Sequence, residues 1–527
     1  MRDDQQSEAQ ISGAFGTINA HDVGSRKGAR ARLLTLLAII GPGLIVMVGD
    51  NDAGGVSTYA QAGQNFGYSL LWTLPLLIPV LIVNQEMVAR LGAVTGIGHG
   101  RLIRERIGRR WGNFSIGSIL VLNFLIIITE FIGISLSMRY FGVSPLVAVP
   151  VAVVALFAVT ATGSFRRWER FMMLFVATNV IVIPLAWHAH ISTARAVHGL
   201  VAPGIRGGAS SAGVLLIISI IGTTVAPWQL FFQESNIVDK KISPRWLNYE
   251  RADTVIGSFI VVVVAALLIS VTGAGLAAHG GTNSYTNALD VARGLRHYVG
   301  HGAGTIFAIV LLNASIVGAA TVTLASSYAV GDLSNRFNQG LDVPLREAKG
   351  FYGIFAALLV VAGVVTLVPG APLGIITLAV QALSGLMLPS TSVMVLLLAN
   401  DRAALGPWVN ARWLNAIAVV IVGALIVLSA VMMVSTLFPS INVVRLLEIL
   451  AGAAVVGLAV GLPIGLHRAG PRPRYDGEKL DWRMPRLALL EPPTHSRARR
   501  WLLGCNAVYL GSAGTLLVVR IVQLATS

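Results

Sequence analysis

The sequence predicts an all-α polytopic membrane protein with 12 or 13 transmembrane helices, and three observations predict it. Hydrophobic residues make up 55% of the 527 positions and charged residues only 12%, about half the ~25% usual in soluble domains. Apolar runs of about 20 residues, the length that crosses a hydrocarbon core, recur along most of the chain. Basic residues cluster at every second connection between those runs, as orientation signals do. The formal charge of +15 therefore reads as topology and not as a nucleic-acid surface. The expected partner is a lipid bilayer.

Taken in order, residues 1–32 are polar, end in Arg26, Lys27, Arg30 and Arg32, and lack the pattern of a cleaved signal. A disordered cytoplasmic tail is expected there. Candidate spans follow at 33–66, 69–92, 114–138, 144–163, 169–190, 212–238, 253–278, 303–331, 350–369, 371–399, 413–437 and 443–467. Basic clusters follow the even spans: Arg101 to Arg110, Arg166 to Arg170, Lys240 to Arg251, Arg336 to Lys349, and Arg402 with Arg412. The connections after spans 9 and 11 contain no Lys or Arg, so the amino terminus is expected to be cytoplasmic. Residues 33–467 form the membrane domain, 468–500 a cytoplasmic Pro/Arg-rich linker, and 501–527 an additional transmembrane helix. Cys505 is the single cysteine, which excludes an intrachain disulfide and a thiolate metal cage.

Two runs carry residues that a lipid-facing helix does not tolerate. In the first, GPGLIVMVGDNDAGG places Asp50, Asn51 and Asp52 before Ala53, Gly54 and Gly55. One Asp at a helix centre costs ~2.5–3.5 kcal/mol even on the lenient scale, so two of them demand a polar cavity or a counter-ion. In the sixth, GTTVAPWQLFFQES sets Thr223, Thr224 and Pro227 at mid-run, and the proline frees a carbonyl. Breaks five spans apart point to an inverted repeat, spans 1–5 and 6–10, with a midplane site between the broken helices.

At these residues the chain resembles the natural resistance-associated macrophage protein (Nramp) family of divalent-metal transporters. The stretches FGYSLLW at 66–72, ARLGAVTG at 89–96, TEFIG at 129–133 and VQALSGLMLP at 380–389 carry the resemblance further. It implies a LeuT-like inverted repeat with helices 1 and 6 broken, in a bacterial-type plasma (inner) membrane. It also implies a transported divalent ion in place of any resident cofactor, and no obligatory protein partner.

Departures from the family pattern alter the expected chemistry. Asp-Pro-Gly-Asn of the family is Asp52-Ala53-Gly54-Gly55 here, and Met-Pro-His is Ala226-Pro227-Trp228. A methionine thioether selects softer metals, so its loss leaves oxygen donors, which suit Mg2+ or Mn2+. Candidate metal-site residues are Asp52, Asp50, Asn51, Ala53, Thr223, Thr224, Ala226 and Gln381. This set resembles the Nramp-related magnesium transporter branch. Trp228, Glu130 and Glu86 are candidate gating or coupling residues; Trp228 replaces the family's histidine, and Ile127 replaces a third-helix acid. Proton coupling is therefore not expected, the alternative being a proton-coupled Mn2+/Fe2+ symporter of the ordinary type.

Other signals are weaker. Glu86 and Arg90 read as a buried pair or a vestibule element, Arg445 and Glu448 as a structural pair. His188, His190, His198, His297 and His301 fall in expected external connections. No HExxH, GxSxG or phosphate loop is present, so the chain is not expected to be an enzyme. A channel would need a continuous pore, which two broken helices do not suggest. A metal sensor would need a signalling domain, and the sequence suggests none.

Overall fold

In a bilayer every backbone N–H and C=O must be bonded within its own segment, so apolar runs close on themselves as helices. The computed structural model describes residues 10–19, 28–208, 210–280, 285–333, 340–438, 440–468, 475, 477–490 and 502–512. Span 1 consists of two half-helices, Pro42–Gly49 and Ala53–Phe66, and span 6 of Ser211–Thr224 and Pro227–Asp239. Spans 2 to 5 are Thr73–Thr95, Arg109–Tyr140, Pro145–Thr160 and Phe165–His188. Spans 7 to 12 are Leu247–Gly275, His301–Leu333, Lys349–Thr366, Leu373–Ala399, Arg412–Leu437 and Val443–Arg468. Among the described residues ten helices are long and apolar enough to cross a membrane, and Ala29–Ile39 with Pro42–Gly49, bent by 56° between them, makes an eleventh if the pair is one span. Span 4, at 16 residues, is a shorter apolar helix in its expected place.

The packing sets the two broken helices at the centre. Span 7 lies along both halves of span 1, span 3 lies along span 8, and the first half of span 6 lies along span 10. Gly222 and Gly385 make that last crossing possible: a Cβ on Gly222 would sit 2.6 Å from Gly385 Cα and 2.8 Å from the Gln381 carbonyl oxygen. Span 12 packs chiefly on span 11, with only 6% of its apolar stretch buried. It is peripheral to the repeats.

Several expectations need correction. Residues 10–19, expected to be disordered, form a β-hairpin, β1 (Gln10–Gly13) paired antiparallel with β2 (Gly16–Asn19). Its order comes from docking, because Ile11 and Ala14 are buried against the helical domain. Residues 1–9 and 20–27 of that tail lie outside the described residues. Lys240, counted above as an orientation charge, is buried and paired with Glu169 at 2.6 Å. Arg445 and Glu448 are exposed and form no ion pair with each other among the described residues. The linker folds back on the domain: the Met484 amide donates to the Val94 carbonyl at 3.3 Å, and Trp408 Nε1 donates to the Lys479 carbonyl at 3.0 Å. Of the last expected helix, Leu502–Ser512 is helical, and 513–527 lie outside the described residues.

The crossing of spans 6 and 10 generates a stability prediction. Gly222→Ala forces a Cβ into backbone on the facing helix and should cost ~1–3 kcal/mol by overpacking. Gly353→Ala, in span 9 with nothing within 4 Å of the added carbon, should be neutral or slightly stabilising. Melting temperatures of the two variants in detergent provide the comparison; equal melting points would show that the close crossing does not constrain the fold.

Candidate metal site

The break in span 1 is built by its own residues. The helix Pro42–Gly49 ends in a turn at Asp50, and Asp52, in extended conformation, caps the next helix by accepting the Gly55 amide at Oδ1, 2.6 Å. A free helix N-terminus carries unsatisfied N–H groups and partial positive charge, which is why a carboxylate rests there. Glu130 of span 3 supplies a second: its Oε2 accepts the Ala53 amide at 3.1 Å. Gly318 of span 8 leaves room for both acids, since a Cβ there would meet Glu130 Oε2 at 2.5 Å and Asp52 Cβ at 3.0 Å.

Span 6 is broken at Val225 and Ala226, with Pro227 opening the second half-helix. The two breaks face each other. A Cβ added at Gly55 would lie 2.9 Å from the Asp50 carbonyl oxygen and 3.3 Å from Thr223 Oγ1. The Tyr59 hydroxyl donates to Thr224 Oγ1 at 2.8 Å, while Thr224 Oγ1 donates to the Ile220 carbonyl at 2.7 Å. Gln381 of span 10 presses its amide onto Gly54, where any Cβ would collide with Nε2. Trp228 packs edge-on against Phe232, and its ring would lie 3.3 Å from a Cβ at Gly49.

The structure thus gathers Asp50, Asn51, Asp52, Ala53, Glu130, Thr223, Thr224, Ala226, Trp228 and Gln381, all 3% exposed or less. Asp50 Oδ1 and Oδ2, Asn51 Oδ1, Thr223 Oγ1 and Gln381 Nε2 have no hydrogen-bond partner among the described residues. Native proteins rarely leave buried polar groups unpaired, so several at one place offer positions for a bound ion or ordered water. Asp50, Asp52 and Glu130 form no ion pair with a basic side chain among the described residues. Their carboxyl groups are buried without a cationic side chain beside them. No group of three His, Cys, Asp or Glu side chains among the described residues converges as a closed metal cage. The donors are carboxylate, hydroxyl, amide and the carbonyls freed at the breaks.

Glu86 stands apart from this cluster. It faces Arg90 at 3.1 Å and Arg251 at 2.6 Å, and Arg90 is further held by the Trp408 carbonyl at 2.5 Å and by Asn410. Asn51 is tied to span 7, its Nδ2 donating to the Val261 carbonyl at 3.3 Å. The structure adds Tyr59 and Gln229. Tyr59 follows Asp52 by seven residues on the same helical face, a spacing the sequence carries. Gln229 Oε1 accepts the Ala226 amide at 3.2 Å, and its side-chain amide lies toward Asp50.

The family described as "Natural resistance-associated macrophage protein-like" matches residues 43–435. The divalent metal cation transporter MntH of Ralstonia nicotianae is 27% identical over 396 residues, covering 73% of this chain and 87% of that protein. MntH of Bacillus subtilis is 25% identical over 417 residues, covering 76% and 93% respectively. The crystal structure of a manganese transporter from Eremococcus coleocola superposes with a TM-score of 0.62 at 22% identity, covering 87% of this chain and all of that one. That likeness shows a shared fold, the LeuT-like inverted repeat. With the family match spanning 43–435 and both broken helices inside it, the chain belongs to the Nramp family.

Proposed function

We propose that this protein carries a hard divalent cation, Mg2+ and/or Mn2+, across the membrane by alternating access and without proton coupling. The relatives named MntH support divalent-metal transport in general. The observation that carries the finer reading is the set of unpartnered buried oxygens at the two breaks, on Asp50, Asn51 and Thr223 beside Asp52. Carboxylate, amide and hydroxyl oxygens suit Mg2+ and Mn2+, and Mg2+ keeps several of its waters. Ala226 supports the same reading, because it places a methyl where the family has a thioether.

The driving force follows from charge. A dication crossing alone carries two charges, so at ~2.3 kcal/mol per charge per 100 mV the potential supplies roughly 4.6 kcal/mol per 100 mV. Concentrative uptake then needs no proton gradient. Trp228 and Ile127 offer no titrating group, which supports uncoupled movement. Glu130 beside Asp52 favours the second reading, a proton-coupled Mn2+/Fe2+ symporter, because a second buried acid can carry a proton.

Asp52→Asn tests the site. Neutral oxygens alone cannot offset the dehydration of a dication, so uptake into proteoliposomes should fall to background while the purified variant stays monodisperse. Uptake near wild type in a well-folded variant would remove Asp52 from the ion's path. Ala226→Met tests the selectivity argument: a thioether adds a soft donor and fills space available to water, so competition should shift toward Cd2+ and Mn2+ by about tenfold relative to Mg2+. An unchanged Mg2+:Cd2+ ratio would place position 226 away from the ion.

A further inference from the structure

We propose that the amino-terminal hairpin, residues 10–19, is a latch that holds the half-helix Pro42–Gly49 closed, so that its release opens the buried site to the face bearing the hairpin. The inference rests on the alternating-access reading above, in which a half-helix must move. Pro42–Gly49 is bounded by a bend at Gly41 and by the break at Asp50 to Asp52, so it is a short rod hinged at both ends. Gly41 has φ 152, and a Cβ there would strike Glu169 Oε1 at 2.0 Å, so the bend tolerates only glycine.

The rod's near end is held by residues from other elements. Asp253 of span 7 accepts the amides of Gly41, Gly43 and Leu44 at 3.0, 2.8 and 3.1 Å. Lys240, at the end of span 6, donates to the carbonyls of Ile39 and Ile40 at 2.7 and 3.2 Å, immediately before the bend. The same ammonium pairs with Glu169 of span 5 at 2.6 Å, both side chains fully buried. The hairpin completes this cluster. The Ala14 amide donates to Glu169 Oε2 at 2.5 Å, and Arg170 Nε grips the Ala14 carbonyl at 2.9 Å. Gly13 lies so close that a Cβ would meet the Ala38 carbonyl oxygen at 2.0 Å and Lys240 Nζ at 3.2 Å.

Two physical points turn these contacts into a latch. A two-stranded hairpin with four-residue strands is marginal alone in water, so this one is ordered only while docked through Ile11. A buried ion pair is strong only while water is excluded; lifting the hairpin hydrates Glu169 and Lys240 together and loosens the grip on Ile39 and Ile40.

The test uses the full chain in detergent, with exposed Cys505 replaced by serine and a reporter thiol at Ser258→Cys, beneath the rod and against Met47. Water-soluble methanethiosulfonate should modify this thiol slowly in the parent and in Ile11→Val. Ile11→Asp places a carboxylate in a fully buried position, and a second chain lacks residues 1–19; both should react about tenfold faster, in proportion to the open fraction. Equal rates in parent, Ile11→Asp and the shortened chain, with unchanged melting temperatures, would overturn the latch. Labelling needs no cation, so it reads rod opening even if Mg2+ uptake were absent, and a failed transport assay cannot be mistaken for a failed latch.

Discussion

Three acidic side chains, Asp50, Asp52 and Glu130, sit fully buried at the depth of the spanning helices, and accommodating them there is the constraint from which the rest of the structure follows. A carboxylate cannot stay ionised in such a place without compensation, and no basic side chain provides it among the described residues. The compensation is backbone. Breaking span 1 exposes a helix N-terminus, whose amides at Ala53 and Gly55 bind Glu130 and Asp52. That offsets part of the cost of burying them; in the proposed function a transported cation offsets the rest.

The neighbouring residues are shaped by this arrangement. Gly54 and Gly318 are glycines because Gln381 and Glu130 occupy the space of their side chains. Gly222 and Gly385 let span 10 approach the break in span 6 closely enough for Gln381 to reach span 1. On the face of the hairpin the logic reverses: Glu169 and Lys240 neutralise each other, and Asp253 caps Pro42–Gly49, so those charges hold helices together. The same residue types therefore serve two purposes, separated by whether a cation side chain is at hand.

Much of this was legible from residue order. The breaks at Asp50 to Gly55 and at Thr223 to Pro227 violate the rule that a spanning helix is apolar and unbroken, so sequence located both. Gln381 entered only through family resemblance, since nothing local distinguishes it from a buried amide. Other features were hidden for definite reasons. The hairpin of residues 10–19 contains one large buried side chain, Ile11, in a polar tail, too little signal for a strand without knowledge of its dock. Lys240 has the sequence setting of an orientation charge, as loop lysines usually do; its burial depends on Glu169, 71 residues earlier. Gln229 reaches Asp50 only through the packing of the second half-helix of span 6 against span 1, which no local pattern encodes.

Cation uptake into proteoliposomes carrying a lumenal pH dye, under an imposed inside-negative potential, tests the account most directly. It predicts saturable Mg2+ or Mn2+ entry that grows with potential and leaves the lumenal pH unchanged. Acidification that tracks metal entry, or entry restricted to soft cations such as Cd2+, would contradict an oxygen-lined, uncoupled site between the broken helices.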